Sequence, residues 1–312
     1  MPMTERKAGN PPAAGPTTET PPPLSLAELF TQEMEREEAP ARVSLPPATS
    51  AVKRRERTKE IPDLTGLAPF WMLFGGGNTG KTFLGRIFAG ELLERKTGRF
   101  ILAPMDPGFR LLAEFGVRTM QPPSSDPRET AEWLRALFTQ VMKHRAPGVG
   151  DTGGGETAAT AVIRAAPTVW KEMKEAGVAL VPAYFFARPD DPVILEAHAA
   201  MGFAPEATAL VLNMNSVDGA GAFDAVRAHP AYKAALERGA VEIVIPRLEP
   251  LKLSQKIEAR RFHFFEARDG IVREGLEAEP LTGMERAIVR GFIGDYRKEL
   301  EPIAQRAWLP WS

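Results

Sequence analysis

Short apolar runs alternate with amphipathic segments along the chain from Ile61 onward. The apolar runs lie at residues 70–74, 100–105, 178–186, 209–214 and 241–245. Apolar residues at helical spacing occupy residues 79–95 and 127–144, and a long helical segment lies at 284–308. Runs of this length are typical of strands buried on both faces, and strands that alternate with helices favour a parallel sheet. The pattern therefore predicts an α/β fold, mainly a parallel sheet with helices on both faces.

Residues 1–60 have a different pattern. Prolines interrupt a stretch that is poor in aromatic residues and too weakly apolar to offset the entropy cost of ordering it. We therefore predict a disordered Pro-rich tail at 1–60, in which residues 24–38 have the spacing of a short helix, and a folded domain with a C-terminal helix at 61–312. The end of the tail carries a basic cluster: Lys53, Arg54, Arg55, Arg57 and Lys59. The cluster is either a solvated linker or a non-specific contact with the phosphate backbone of DNA.

The composition is that of an ordinary globular protein, and it excludes several classes of chemistry. Apolar residues make up 44% of the chain, and the formal net charge is -1, so the bulk electrostatics do not require a polyanionic partner. The absence of cysteine excludes disulfides, thiolate chemistry and cysteine-ligated metals, and the four histidines are not spaced as metal ligands. No apolar run approaches the roughly 20 residues that a membrane-spanning helix needs. We expect a cytoplasmic protein without a membrane span.

Residues 75–82 fit the pattern G-x-x-x-x-G-K-[ST] without a mismatch. Such a loop holds a triphosphate with consecutive backbone N–H groups at a helix N-terminus, and its glycines let the backbone approach the anion without Cβ clashes. The lysine would reach the β- and γ-phosphates, and the threonine hydroxyl would hold Mg²⁺. The sequence therefore predicts a P-loop nucleotide-binding domain of Rossmann-like architecture, with ATP and Mg²⁺ as cofactors. The predicted nucleotide-binding residues of the loop are Gly75, Gly76, Gly77, Asn78, Thr79, Gly80, Lys81 and Thr82.

Two acidic residues follow the loop at positions that suit such a site. Asp106 comes directly after the apolar run 100–105, and the carboxyl end of a parallel strand faces the ligand crevice; Asp-Pro-Gly is equally good chemistry for a turn. Asp151 precedes a run of three glycines and would hold Mg²⁺ together with Thr82, with a flexible linker as the alternative. Residues 147–150 read as a poor strand, which weakens the interpretation of Asp151 as an active-site residue.

The loop and the two acidic segments, taken in order, resemble the ParA/MinD family of P-loop ATPases. The resemblance implies that Lys81, Asp106 and Asp151 are catalytic, with Asp106 near the attacking water. It also implies that Asp151 is the Walker B aspartate, which binds the metal. The segment ending at Asn213 resembles the family's strand that ends near adenine, and Pro246 lies in a segment that resembles the one closing the base pocket.

The function implied by this resemblance is that of an ATP-hydrolysing molecular switch. Such proteins act in plasmid or chromosome partition, mobilisation or positioning. The implied partners are the nucleotide, a second copy of the chain in a homodimer, and either non-specific DNA or a partition or mobilisation protein.

Two positions depart from the family pattern and leave other functions open. Gly76 stands where the family has a second lysine that reaches the partner subunit's nucleotide, and Pro104 stands where it has the first acid of a D-x-D pair. One alternative is a P-loop kinase that transfers phosphate to an acceptor, with an Arg-rich helix at 252–268 as its lid, although the phenylalanines of that segment favour packing. The other alternative is a non-catalytic module that binds nucleotide and presents surfaces to partners.

Overall fold

The computed structural model describes residues 60–96, 98–105, 119–153, 156–218 and 221–312. Four sequence predictions lie outside these ranges. They are the disordered tail up to residue 59, the short helix at 24–38 and the basic cluster within it, and the role of Asp106.

Within the described residues, a six-stranded sheet with only parallel pairs forms the centre of the structure, as the sequence predicted. Its order is β2-β3-β1-β4-β5-β6. The strands are β1 (Ala68–Phe74), β2 (Ile101–Pro104), β3 (Gly148–Asp151), β4 (Val178–Phe186), β5 (Ala209–Asn213) and β6 (Val241–Ile245). Most of their residues are buried, because helices cover both faces of the sheet.

Ten helices lie in the described part of the chain. They are α1 (Lys81–Arg95), α2 (Pro127–His144), α3 (Glu156–Ala165), α4 (Val169–Glu175), α5 (Val193–Ala200), α6 (Asp224–Ala228), α7 (Pro230–Glu237), α8 (Leu251–Ala259), α9 (Phe264–Asp269) and α10 (Gly283–Ala304). Helices α1, α8, α9 and α10 pack in one core layer, and α2 to α7 pack in the other. Alternate residues of β1 enter the two layers, with Trp71 and Leu73 in the first and Phe70, Met72 and Phe74 in the second.

The order of the strands reverses direction at β1. The chain runs from β1 past the place of β3 to the edge strand β2, returns to β3, and then crosses β1 to reach β4. The crossover helix α1 consequently lies on the opposite face from α2 to α7. In parallel sheets, ligands bind outside the carboxyl ends of the strands at such a reversal, which is where residues 75–80 lie.

The structure corrects two sequence interpretations. Residues 148–151 form β3, although residues 147–150 read as a poor strand. Glycine is required at Gly148, because a Cβ there would lie 2.4 Å from the Ile101 carbonyl oxygen, and a Cβ at Gly150 would displace the Met72 side chain, whose sulfur would lie 2.7 Å away. The predicted helix at 252–268 is broken into α8 and α9, because Arg261 has a positive φ of 55° and His263 caps a new helix.

No helix in the described ranges has the length and apolar character needed to cross a membrane.

Candidate functional site

An open cleft of about 890 Å³ lies at the carboxyl end of the sheet. Small-molecule sites have volumes of roughly 300–1,000 Å³, so the cleft is large enough for a nucleotide. Its lining comprises Gly75, Gly76, Gly77, Asn78, Thr79, Gly80, Lys81, Thr82, Phe83, Pro104, Asp151, Gly153, Thr157, Asn213, Asn215, Ser216, Ser254, Gln255 and Glu258. The predicted loop residues, Asp151 and Asn213 are therefore brought together around one cleft.

The glycine-rich loop connects β1 to α1 by a tight path. Gly75 has a φ of 145°, and a Cβ there would lie 2.6 Å from the backbone oxygen of Phe185. Gly80 has a φ of 93° and is the N-cap of α1, where it offers no side chain to the first turn. The backbone of the loop and the N-terminal end of α1 consequently face the cleft directly, which is the arrangement that favours an anion.

Lys81 begins α1 and folds back over the loop. Its Nζ donates to the backbone oxygens of Gly75 and Gly76, at 2.5 and 2.7 Å, and the residue is only 6% exposed. The structure places this charge within the loop, on carbonyl oxygens. Thr79 supports the same curl, because its Oγ1 donates to the Gly76 oxygen at 3.0 Å.

Thr82 and Asp151 are in direct contact although they lie 69 residues apart in the chain. The Oγ1 of Thr82 donates to Oδ2 of Asp151 at 2.8 Å. Asp151 occupies the last position of β3, opposite Leu73 of β1, and is 4% exposed. Its Oδ1 accepts from the backbone N–H of Gly153 at 3.1 Å, so the carboxylate is held in orientation by its own strand end.

Asn213 closes the cleft on the other side of the loop. It ends β5, is 1% exposed, and accepts from the backbone N–H and the Nδ2 of Asn215 at 3.0 and 2.9 Å. A Cβ at Gly80 would lie 1.8 Å from Nδ2 of Asn213, so the glycine lets this side chain lie against the loop. Pro246 does not line the cleft; its carbonyl accepts from Nδ2 of Asn215 at 2.8 Å, which joins the ends of β5 and β6.

Sequence reasoning missed several residues of the cleft. Asn215 and Ser216 carried a signal, because polar residues directly after a buried run mark the carboxyl end of a strand. Ser254, Gln255 and Glu258 of α8 carried none, since their place in the cleft depends on how α8 packs across the sheet.

The oxygen atoms that line the cleft suit a hard cation that is bound partly by the protein and partly by the phosphates of a bound substrate. Among the described residues, no group of three or more His, Cys, Asp and Glu side chains is arranged so that it could hold a metal ion. Thr82 and Asp151 supply a hydroxyl and a carboxylate instead, and Mg²⁺ prefers one or two such protein oxygens together with waters and substrate phosphates.

No family model and no curated protein matches this chain.

Proposed function

We propose that the chain is a P-loop nucleoside triphosphatase of Rossmann-like fold that binds and hydrolyses Mg·ATP in this cleft. The observation that carries the proposal is the 2.8 Å hydrogen bond between Thr82 and Asp151. The sequence motif alone requires only residues 75–82, whereas an acid aligned with its threonine is a separate requirement of a Mg·triphosphate site. The fold meets that requirement by pairing β1 with β3.

The loop would bind the triphosphate with its backbone N–H groups and with Lys81. In the structure, the Lys81 ammonium occupies the curl of the loop and neutralises the partial negative charge of two carbonyl oxygens. A phosphate oxygen is a stronger acceptor than either carbonyl, because it carries a full charge. We expect the ammonium to exchange these carbonyls for phosphate oxygens when nucleotide binds.

Thr82 and Asp151 would hold the metal. The hydroxyl of Thr82 donates its proton to Asp151 and keeps its oxygen lone pairs for a cation, so the hydrogen bond orients the ligand atom without consuming it. Mg²⁺ bound there would neutralise charge on the phosphates as the terminal phosphoryl group leaves.

The resemblance to the ParA/MinD family extends the proposal to a cytoplasmic molecular switch in partition, mobilisation or positioning, acting as a homodimer with non-specific DNA or a partner protein. Gly76 supplies no second lysine in the loop, so we expect Lys81 to neutralise the phosphates without help from a partner subunit's loop.

An assay of phosphate transfer distinguishes the ATPase from the alternative kinase. Slow release of phosphate without an added acceptor supports the ATPase, and transfer to an acceptor supports the kinase.

The test is calorimetric titration of the full chain with ATP, with and without Mg²⁺, alongside an assay of phosphate release. We expect Lys81→Ala to weaken ATP binding about 10- to 100-fold, the range for lost hydrogen bonds to a charged group. We expect Asp151→Asn to keep ATP binding without metal and to lose most of the gain that Mg²⁺ gives. Lys233→Ala, at an exposed lysine of α7, is the matched control. Wild-type affinity in Lys81→Ala would refute the phosphate site, and an undiminished Mg²⁺ gain in Asp151→Asn would refute the metal site.

A further inference from the structure

Two parts of the cleft lining differ in chemistry. The loop contributes backbone N–H groups and the cation of Lys81, which favour an anion. Helix α8 contributes Ser254, Gln255 and Glu258 to the same cleft. The carboxylate repels phosphate, and the hydroxyl and the amide carry no charge to attract it, whereas all three are good hydrogen-bond partners for neutral hydroxyl groups. A ligand that suits both parts is therefore anionic where it meets the loop and hydroxylated where it meets α8.

Helix α8 presents this polar edge because its other side is anchored in the core. Leu253 and Ile257 are 2% and 1% exposed and pack in the core layer that also contains α1. The residues on the cleft side lie one and four positions apart, which places them along one edge of the helix. The side that faces the cleft is thus fixed by burial of the opposite side.

An ion pair holds α8 against the helix that begins at the loop. NH1 of Arg86 in α1 lies 3.3 Å from Oε1 of Glu258, and the Arg86 side chain is 6% exposed. The same guanidinium donates to the backbone oxygen of Phe262 at 3.2 Å. Because α1 starts at the loop, these contacts fix the position of α8 relative to the loop.

We propose that the α8 edge binds the ribose of the nucleotide, with Ser254 and Gln255 as hydrogen-bond partners of its 2′- and 3′-hydroxyls. Neither side chain has a hydrogen-bond partner within the described residues, so both keep their full capacity for a ligand. Glu258 is paired with Arg86, and its carboxylate, whose side chain is 53% exposed, makes α8 a poorer neighbour for phosphate than the loop. The inference rests on the proposed function, and it makes the protein selective for ribonucleotides over deoxyribonucleotides.

The experiment compares ATP with 2′-deoxy-ATP and 3′-deoxy-ATP in the presence of Mg²⁺, by calorimetry on the full chain. In the wild type, we expect at least one deoxy analogue to bind about three- to tenfold more weakly than ATP, the range for one neutral hydrogen bond. In Ser254→Ala or Gln255→Ala, ATP affinity should fall by the same factor and the discrimination should disappear, since the variant and the analogue remove the same bond. Gln305→Ala, the same change at an exposed position outside the cleft, should discriminate like the wild type.

Two results would overturn the inference while leaving the proposed function intact. One is equal binding of ATP and both deoxy analogues to the wild type. The other is discrimination that persists unchanged in both α8 variants. A parallel titration with inorganic tripolyphosphate tests the proposed phosphate site separately from the ribose inference, because this ligand has no ribose and contacts the loop alone. Wild-type protein that binds neither tripolyphosphate nor ATP would overturn the proposed function and this inference together.

Discussion

Gly75 and Gly80 adopt backbone conformations that residues with a side chain rarely adopt, with φ angles of 145° and 93°. Gly76 lies between them in the same loop, yet its φ is not positive and a Cβ there would have no neighbour within 4 Å among the described residues. Glycine is therefore a steric requirement at the two ends of the loop and not at Gly76. The position of the family's second lysine could accept a side chain without strain.

We predict opposite results for two alanine substitutions in the loop. Gly75→Ala combines an unfavourable φ with a Cβ placed 2.6 Å from the Phe185 oxygen, so it should lower the free energy of unfolding by about 1–3 kcal/mol and weaken ATP binding at least tenfold. Gly76→Ala should change stability by less than about 0.5 kcal/mol and leave ATP affinity near that of the wild type. Urea denaturation and calorimetry measure the two quantities. Equal loss in both variants would show that the loop has another conformation in solution.

The sequence predicted which residue types the loop needs, because the pattern at 75–82 encodes a tight backbone path. It could not predict that Lys81 lies on the oxygens of Gly75 and Gly76, since that contact depends on the folded path of the loop. The contact between Thr82 and Asp151 could not be predicted from local sequence patterns either, because it forms only when β1 and β3 are neighbours in the sheet.

At the scale of elements, helix α10 is joined to α1 by a charge network around a buried carboxylate. The Glu91 side chain of α1 is fully buried and accepts from Nε and NH2 of Arg297 at 2.8 and 3.0 Å. Arg95 adds a third bond at 2.9 Å. A buried carboxylate costs several kcal/mol unless it is paired, so α10 stabilises the helix that carries the loop.

Neighbouring residues of α10 offer a matched pair of variants to test this network. We expect Arg297→Ala to lower the free energy of unfolding by about 2 kcal/mol, because two charge-assisted hydrogen bonds to Glu91 are lost while the carboxylate stays buried. Lys298→Ala should cost less than about 0.5 kcal/mol, because its pair with Asp295 joins side chains that are 75% and 63% exposed. Chemical denaturation of both variants gives the comparison, and similar losses would mean that the α1–α10 network contributes nothing specific.

Elements with strong local signals were predicted with their boundaries. Helix α2 matches the predicted 127–144, and its Asp126 cap accepts from the backbone N–H groups of Arg128 and Glu129. Strand β4 matches the predicted 178–186. Strand β3 was missed because its glycines lack strand propensity and are needed only for close approach to β1 and β2, a demand that no local pattern expresses.

At the scale of the whole molecule, one histidine lies on each side of the sheet, with His198 fully buried and His263 partly buried. His198 of α5 is 1% exposed, lies against Phe74 with ring centroids 5.1 Å apart, and has its Nδ1 2.7 Å from the hydroxyl oxygen of Tyr184. His263 caps α9 in the other layer. Burial is the main cause that lowers the pKa of each imidazole to about 4. Both sides of the sheet therefore hold a group that the folded state keeps neutral.

This arrangement makes the stability of the whole fold depend on pH between about 6.5 and 4. The unfolded chain protonates a histidine near its ordinary pKa of 6.5, whereas the folded state protonates His198 only near 4. Protons consequently favour the unfolded state as the pH falls through this window, and the stabilisation by neutral His198 is fully present above it.

We expect protonation of His198 alone to lower the free energy of unfolding by about 2 kcal/mol between pH 7 and pH 5. In His198→Gln, which cannot titrate, the decline in unfolding free energy over this range should be shallower by that amount, whatever its stability at pH 7. Urea denaturation of both proteins at several pH values measures the two slopes, and parallel slopes would show that His198 is protonated equally in the folded and unfolded states.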